Sequence, residues 1–322
     1  MAKNQTNNFK TDNDTGFASL PNSQGDTLFG KDGSVNVLRK GLSFSERFNV
    51  FHTLLSMSWS QFGWAVVLFY VLINIFFALI YYFIGVEHLN GTITDTEVDK
   101  LLESFFFSTQ TFATVGYGRI NPTGILTNIV ASLEALLGVL SLALVTSLLY
   151  SRFSRPKINL VYSKNLLVAP FLDKTALMFR LANAQNELLI ECEIQIIVRL
   201  KVTNDGITNT TFINLPLERS KVATLALNWT IVHALDDESP IKNYSAEDLA
   251  NAEAEFLISL KLFDNTYSQI IHTRSSYKFD EMIWGAKFKP MFHRSEGGNS
   301  TVLELDKISA YELVDLKIME KN

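Results

Sequence analysis

Two long apolar segments, separated by a shorter one, dominate the first half of the chain. Residues 64–84 carry no charged side chain, and a helix of this length crosses a hydrocarbon core of about 30 Å. Residues 125–153 form a second segment of spanning length, in which Glu134 is the only charge before Tyr150. Residues 101–112 are apolar but too short to cross, so we expect a re-entrant helix buried in protein. The pattern predicts two spanning helices around a half-length pore helix.

The segment before the first span has a different pattern. Within residues 43–61 apolar side chains alternate with polar ones at helical spacing, which predicts an amphipathic helix on the inner interface. A soluble helix packed on a cytoplasmic domain has the same pattern. The sequence at 94–97 resembles a capping box and predicts a short separate outer helix. Aromatic residues near the ends of the first span are expected to anchor it at both interfaces; they are Trp59, Trp64, Tyr81 and Tyr82.

After Pro156 the apolar residues recur at every second position. Alternating runs such as 191–196 and 256–264 are separated by Asn, Asp, Gly and Pro, which predicts an all-β, immunoglobulin-like sandwich. The sequence has no glycine-rich strand-to-helix turn, which argues against a dinucleotide-binding module. The expected fold class is a membrane α domain, with two transmembrane helices and a re-entrant pore helix, joined to this cytoplasmic sandwich.

These patterns divide the chain into five parts. Residues 1–28 are polar and predict a disordered tail, and residues 29–61 lead into the membrane. The pore domain is expected at 62–154, the sandwich at 155–310 and a C-terminal tail at 311–322.

The distribution of charge predicts the orientation in the membrane. Basic residues flank both spans on one side; they are Arg39, Lys40, Arg47, Arg152, Arg155 and Lys157. The segment between the first span and the pore helix is acidic, with Glu87, Asp95, Glu97, Asp99 and Glu103 against Lys100. By the positive-inside rule both termini lie in the cytoplasm and the protein lies in the cell membrane. The acids are expected either to concentrate cations or to form an ordinary solvated loop.

The pentapeptide Thr114-Val115-Gly116-Tyr117-Gly118 lies between the pore helix and the second span. Its glycines tolerate the backbone angles that turn successive carbonyls toward one axis, and such carbonyls replace the hydration shell of a potassium ion. The C-terminal end of the preceding helix directs negative potential at the same place. One chain supplies a single column of oxygens, so a cage requires several copies, most simply four. A soluble turn can contain the same five residues, but the flanking spans favour a selectivity filter.

With these elements in order, the chain resembles the inwardly rectifying potassium channels, most closely their bacterial branch. The likeness runs from about Phe29 to about Phe292, with motifs similar to those of the family at 31–37, 152–157, 177–183, 233–240, 274–277 and 283–285. The first of these is similar to a short strand before the interfacial helix. The resemblance implies a homotetramer with a central pore, K⁺ as the permeant ion, no cofactor, and anionic membrane lipids as partners.

The resemblance also implies roles around the filter. Thr114 to Tyr117 would line the ion sites, and Gln110 stands where family members often carry Glu. Glu134 resembles a carboxylate that some bacterial members place behind the filter, where it either braces the filter or stabilises cations directly. Gly138 would let the inner helix bend or would allow close packing.

Other roles lie on the inner helix. Leu142 stands where strong rectifiers place an acid that holds polyamines or Mg²⁺, so only weak block is expected; Leu142 is instead a candidate apolar gate. Tyr150 matches the residue at the bundle crossing, although Leu149 lies only about 20° from the face of Leu142 on an ideal helix.

The remaining implied roles are cytoplasmic. Arg152, Arg155 and Lys157 are expected to bind anionic lipid, or they only obey the positive-inside rule. Ser58-Trp59-Ser60 replaces a phosphoinositide-binding Arg-Trp-Arg, so general anionic lipid sensing is expected. Glu191 matches an acid that lines the cytoplasmic pore, although an ordinary solvent-facing strand acid would look the same.

The main alternative is a membrane-tethered sensor in which the sandwich binds a ligand and the pore conducts little. A voltage-gated channel is disfavoured because an Arg-rich sensor helix is missing from the sequence. An enzyme is disfavoured because the five histidines form no triad-like or ligand-spaced set with Cys192, which we interpret as a core residue. No nucleic-acid partner is expected.

Overall fold

The computed structural model describes residues 41, 49–93, 95–156, 158–204, 207–295, 297 and 300–316. The predicted tail 1–28, the strand at 31–37, Lys157 and the final six residues lie outside the described residues. The described residues divide into two compact units, one ending at Arg155 and the other beginning at Pro156.

The first unit is helical and contains both predicted spans. Its helices are α1 (Val50–Ser56), α2 (Trp59–Ile84), α3 (Glu97–Phe112) and α4 (Ile125–Phe153). Helices α2 and α4, with 26 and 29 residues, are long and apolar enough to cross a membrane. Two short strands, β1 (Leu89–Asn90) and β2 (Asn121–Pro122), pair antiparallel beside the segment that follows the filter.

Local capping explains where the helices differ from the prediction. The single helix predicted over 43–61 is wrong in its described part, because α1 ends at Ser56 and Ser58 begins α2 with a capping box to Gln61. The separate helix predicted from 94–97 is also wrong. Thr96 forms its capping box with Asp99 and begins the pore helix itself, one turn earlier than expected.

Tyr81 is not an interfacial anchor. It is fully buried, and its ring packs edge-on against Phe107 of α3 at 4.9 Å between centroids. The position near the end of an apolar helix was compatible with an anchor, but the side chain lies on the face that packs against the pore helix.

The second unit is a sandwich of two five-stranded sheets. Its elements are β3 (Leu160–Tyr162), β4 (Leu166–Phe171), β5 (Lys174–Asn183), β6 (Leu189–Asn204), β7 (Ile207–Leu215), β8 (Lys221–Leu225), β9 (Asn228–Ala234), α5 (Ala246–Asn251), β10 (Glu255–Asp264), β11 (Gln269–Lys278), β12 (Met282–Trp284), β13 (Ala286–Phe288), β14 (Phe292–Arg294), β15 (Thr301–Leu303) and β16 (Tyr311–Leu313). One sheet has the order β11-β10-β6-β7, with β8 also on β6, and the other has β12-β4-β5-β3, with β9 also on β5.

The alternating residues form the core between these sheets. Phe256, Ile258 and Leu260 of β10 share one buried cluster with Phe179 of β5, which confirms the predicted sandwich. Cys192 belongs to the same cluster. Burial raises the pKa of its thiol to about 11 and so keeps it neutral, which agrees with its interpretation as a core residue.

The predicted C-terminal tail is partly structured. Residues 311–313 form β16, which pairs antiparallel with β13 so that Phe288 lies opposite Tyr311. The sandwich unit therefore extends beyond residue 310, through a long-range pairing that the local pattern does not reveal.

Candidate functional site

The pentapeptide follows directly from the C-terminal end of α3. Gly116 and Gly118 have positive φ angles of 54° and 83°, as the filter interpretation expects, and Thr114 also has a positive φ of 57°. A β-branched residue rarely adopts this region, and such strain is typical of functional sites. Amides of Val115 and Gly116 donate to the carbonyl oxygen of Gln110 at 2.9 and 3.3 Å, so the helix end fixes the start of the turn.

Every residue from 113 to 119 is exposed in the single chain. The exposed fraction of Tyr117 is 79%, although the surrounding helices pack closely. The pentapeptide is therefore left uncovered by the rest of its own chain.

Gly138 of α4 lies against the end of the pore helix. A Cβ at this position would be 2.0 Å from the carbonyl oxygen of Phe112 and 2.9 Å from its carbonyl carbon. These are backbone atoms, so the two helices approach this closely only because residue 138 has no side chain. Helix α4 is continuous through this position. The contact supports the packing role of Gly138, and its role as a hinge stays a prediction.

Glu134 is buried at the junction of three helices. Its Oε1 accepts a hydrogen bond from Ser108 Oγ at 2.5 Å and its Oε2 accepts one from the Tyr81 hydroxyl at 2.6 Å. Ser108 Oγ also lies 3.1 Å from Asn74 Oδ1, and Asn74 Nδ2 donates to the carbonyl of Tyr70 at 2.6 Å. These bonds connect α2, α3 and α4, so the arrangement supports a brace rather than a free charge.

Gln110 contacts the filter segment through its backbone rather than through its side chain. Its side chain makes no hydrogen bond within the described part of the chain, and only its carbonyl oxygen contacts the filter segment. Support of the filter by the Gln110 side chain stays a prediction.

The candidate gate residues lie near the C-terminal half of α4. Leu142 and Tyr150 are exposed, at 66% and 73%, whereas Leu149 is half-buried within its own chain. A side chain that closes a shared pore must be free of its own subunit, so the exposure favours Leu142 and Tyr150 over Leu149.

Arg152 contacts its own chain. Its two Nη atoms donate to the carbonyl oxygens of Leu54 and Met57, at 2.6 and 2.7 Å, where α1 ends. Its guanidinium lies 4.7 Å from the ring centres of both Trp59 and Phe62. Arg152 therefore ties the end of α4 to the α1–α2 junction, and its lipid contact stays a prediction.

Arg155 and Glu191 are both exposed. Arg155 makes no hydrogen bond within the described residues, and this geometry is compatible with its predicted lipid role. Glu191 has a positive φ of 50° and lies where the register of β6 on β10 shifts by one residue. The shift is a β-bulge, which redirects a side chain from the regular alternation.

Sequence reasoning missed three residues that position the site, which are Asn74, Ser108 and Arg119. Ser108 bonds Glu134 directly, and Asn74 contacts Ser108. In the sequence, each is a polar residue among apolar helix residues. Arg119 directly follows the filter and forms an ion pair with Glu103 of α3, with 2.7 Å between Nη2 and Oε2; its signal was its place in the sequence.

Comparison with known proteins identifies the family. Residues 160–320 match the inward rectifier potassium channel C-terminal domain, and residues 68–155 match an ion channel family. The chain is 36% identical over 267 residues to inward rectifier potassium channel Kirbac3.1 of Paramagnetospirillum magnetotacticum, covering 82% of this chain and 89% of that protein.

Two animal proteins are also similar. Inward rectifier potassium channel irk-1 of Caenorhabditis elegans is 25% identical, covering 84% of this chain and 54% of that protein. The G protein-activated inward rectifier potassium channel 2 of Rattus norvegicus is 26% identical, covering 83% and 68%. A structural likeness to Spo0M of Bacillus subtilis has a TM-score of 0.21 at 11% identity over 38% of this chain and 47% of that one, and carries no argument.

These relatives are ion channels rather than enzymes, which confirms that prediction, and both spans agree with a membrane location. The chain belongs to the inward rectifier potassium channels, in their bacterial branch.

Proposed function

We propose that four copies of this chain conduct K⁺ through a filter formed by Thr114, Val115, Gly116, Tyr117 and Gly118. The observation that carries the proposal is the filter segment itself, with positive φ at both glycines and exposure of all five residues in the single chain. Carbonyl oxygens from four such columns replace the hydration shell of the ion, and adjacent ions displace one another. Potassium is the permeant ion and no cofactor takes part.

The surroundings of the filter support this role. The close contact between Gly138 and Phe112 fixes the end of the pore helix. The hydrogen bonds from Ser108 and Tyr81 hold Glu134 in place, so this carboxyl group acts as a brace behind the pore. A well-braced filter keeps its carbonyl geometry without the ion having to order it.

The gate is an apolar constriction on α4. Tyr150 and Leu142 close the pore by excluding water, and both are exposed in the single chain. Because Leu142 carries no charge, block by polyamines or Mg²⁺ is weak. Glu191 adds one acid per subunit to the cytoplasmic part of the pore.

Anionic lipids regulate this gate from the cytoplasmic side, where both termini lie. Arg155 and Lys157 bind headgroups, each contributing about 1 kcal/mol near an anionic surface. Arg152 transmits the effect of lipid binding to the gate helix, because it links the end of α4 to the carbonyls of Leu54 and Met57.

The test is ion uptake by the purified protein in liposomes of defined lipid composition. We expect uptake of ⁸⁶Rb⁺ that Ba²⁺ blocks, that external K⁺ competes with and that Na⁺ does not. Tyr150→Ala is expected to raise basal uptake more than Leu149→Ala, because only Tyr150 is exposed. Absence of uptake in every lipid mixture would instead favour a ligand sensor with a non-conducting pore, and equal permeation of Na⁺ would contradict the filter.

A further inference from the structure

The segment that leaves the filter is fixed to the loop that precedes the pore helix. Strands β1 and β2 pair through Leu89 with Pro122 and Asn90 with Asn121. Gly91, which directly follows β1, has a φ of 89°, and a Cβ there would clash with the carbonyl oxygen of Arg119. The backbone of Arg119 therefore has a fixed position immediately after the last filter residue.

The side chain of Arg119 is also fixed. Its Nη1 donates to the carbonyl oxygen of Gly91 at 3.1 Å, and its Nη2 lies 2.7 Å from Oε2 of Glu103. The side chain of Glu103 is 15% exposed and that of Arg119 is 48% exposed, so Glu103 is largely enclosed while Arg119 is about half exposed. Each subunit thus places one cation beside the filter exit and one carboxylate against it.

The other charges at the start of α3 lie farther from the filter in the sequence. Lys100 pairs with Glu97 at 2.8 Å on the first turns of α3, and Asp99 caps the same helix. Arg119 is therefore the cation nearest in sequence to the filter, and Glu103 is the carboxylate that contacts it.

We propose that Glu103 cancels the field of Arg119 at the filter exit and thereby sets the local K⁺ concentration there. The proposal rests on the proposed conduction through four copies of the filter. Four uncompensated guanidinium groups around one entrance would repel K⁺, whereas four neutral pairs leave the surplus acids of the loop to attract it. Fields of this kind change local ion concentrations by about tenfold or more at low ionic strength.

The test is single-channel conductance of the full-length protein in planar bilayers of one fixed lipid composition. Currents are compared in about 10 mM K⁺, where the Debye length is about 30 Å, and in about 1 M K⁺, where it is about 3 Å. Conductance is measured on single open channels, so a variant that folds poorly gives fewer channels but not a smaller current through each one.

We expect Glu103→Gln to lower the conductance about threefold or more in dilute K⁺ and to leave it close to wild type in concentrated K⁺. Arg119→Gln is expected to match or exceed wild type in dilute K⁺, and the double variant to return to it. Glu97→Gln removes the same charge from a position that is farther from the filter in the sequence, and it is expected to have a smaller effect.

Two results would overturn the proposal. Equal losses for Glu103→Gln and Arg119→Gln at both concentrations would mean that the pair is only a mechanical brace. An unchanged conductance for Glu103→Gln in dilute K⁺ would mean that the field of Arg119 does not reach the ions. Both differ from failure of the proposed function, in which the wild-type protein itself passes no selective current.

Discussion

Two buried carboxyl groups, Glu134 in the helical unit and Glu255 in the sandwich, are held in different ways. Both are at most 1% exposed. Glu255 forms an ion pair with Arg199, its direct partner across β6 and β10, with 3.1 Å between Oε2 and Nε. Glu134 instead accepts hydrogen bonds from two hydroxyl groups, and none of the ion pairs among the described residues includes it.

The difference reflects the solvent around each unit. Many large apolar side chains of α2 and α4 are exposed, such as Trp64 at 73% and Phe83 at 81%, while polar groups such as Asn74 lie inside. In a membrane the hydrophobic effect does not hold helices together, so close packing and hydrogen bonds between helices do so instead. The sandwich buries its apolar residues from water, and one compensated charge pair is tolerated among them.

The largest effect that separates the two units is expected from Glu255→Gln. It leaves the Arg199 guanidinium buried without its charge partner, which costs about 3–5 kcal/mol. We expect a large drop in the melting temperature of the solubilised channel. The double variant Arg199→Met, Glu255→Leu is expected to recover most of the loss, because both charges are then removed. A single variant as stable as wild type would contradict charge compensation.

A smaller effect is expected in the helical unit from Ser108→Ala. It removes the donor to Glu134 and leaves that carboxyl group with one partner, which costs about 1–3 kcal/mol. Ser104→Ala is the matched control, because Ser104 is also buried on α3 but its hydroxyl donates to the carbonyl of Lys100 in its own helix. Melting temperatures of the two variants give the comparison. Equal losses would show that the Glu134 bonds add nothing beyond filling space.

The smallest effect is expected from a titration in the sandwich. His233 is fully buried, with Nδ1 2.6 Å from the carbonyl of Pro216 and Nε2 2.8 Å from Ser239 Oγ. Burial lowers the pKa of His233 below its ordinary value. Below about pH 6.5 the unfolded chain therefore binds a proton that the folded chain does not, and stability falls as pH falls, by at most about 1.4 kcal/mol per pH unit.

The control for this titration is His233→Gln. Melting temperatures between about pH 7 and pH 5 are expected to decline less steeply in the variant than in wild type. Identical slopes would exclude His233 as a source of acid sensitivity.

Much of the architecture could be predicted because it depends on properties of the chain read one residue at a time. A charge-free length specifies a span, which placed the end of α2 at Ile84 and the start of α4 at Ile125. Alternation specified the sandwich, and Gly116 and Gly118 specified the positive φ angles of the pentapeptide. Each of these features needs no knowledge of which elements touch.

What could not be predicted depends on contacts between elements. The face that Tyr81 presents to α3 and the binding of Arg152 to the α1–α2 junction are invisible in a linear pattern, because an interfacial aromatic or a lipid-binding cation has the same sequence. The break at Ser58 arose where a local capping box outweighed a continuous hydrophobic periodicity.

The contact of Gly138 with Phe112 has a mechanical consequence. No space for even a methyl group remains between the two backbones, so α4 cannot roll or slide at that point without displacing the last residue of α3. Thr114, the first residue of the pentapeptide, lies only two residues after Phe112. A displacement that starts at the C-terminal end of α4 is therefore passed to Phe112 by direct backbone contact. In the proposed channel, one motion of α4 then acts on both the gate and the base of the filter.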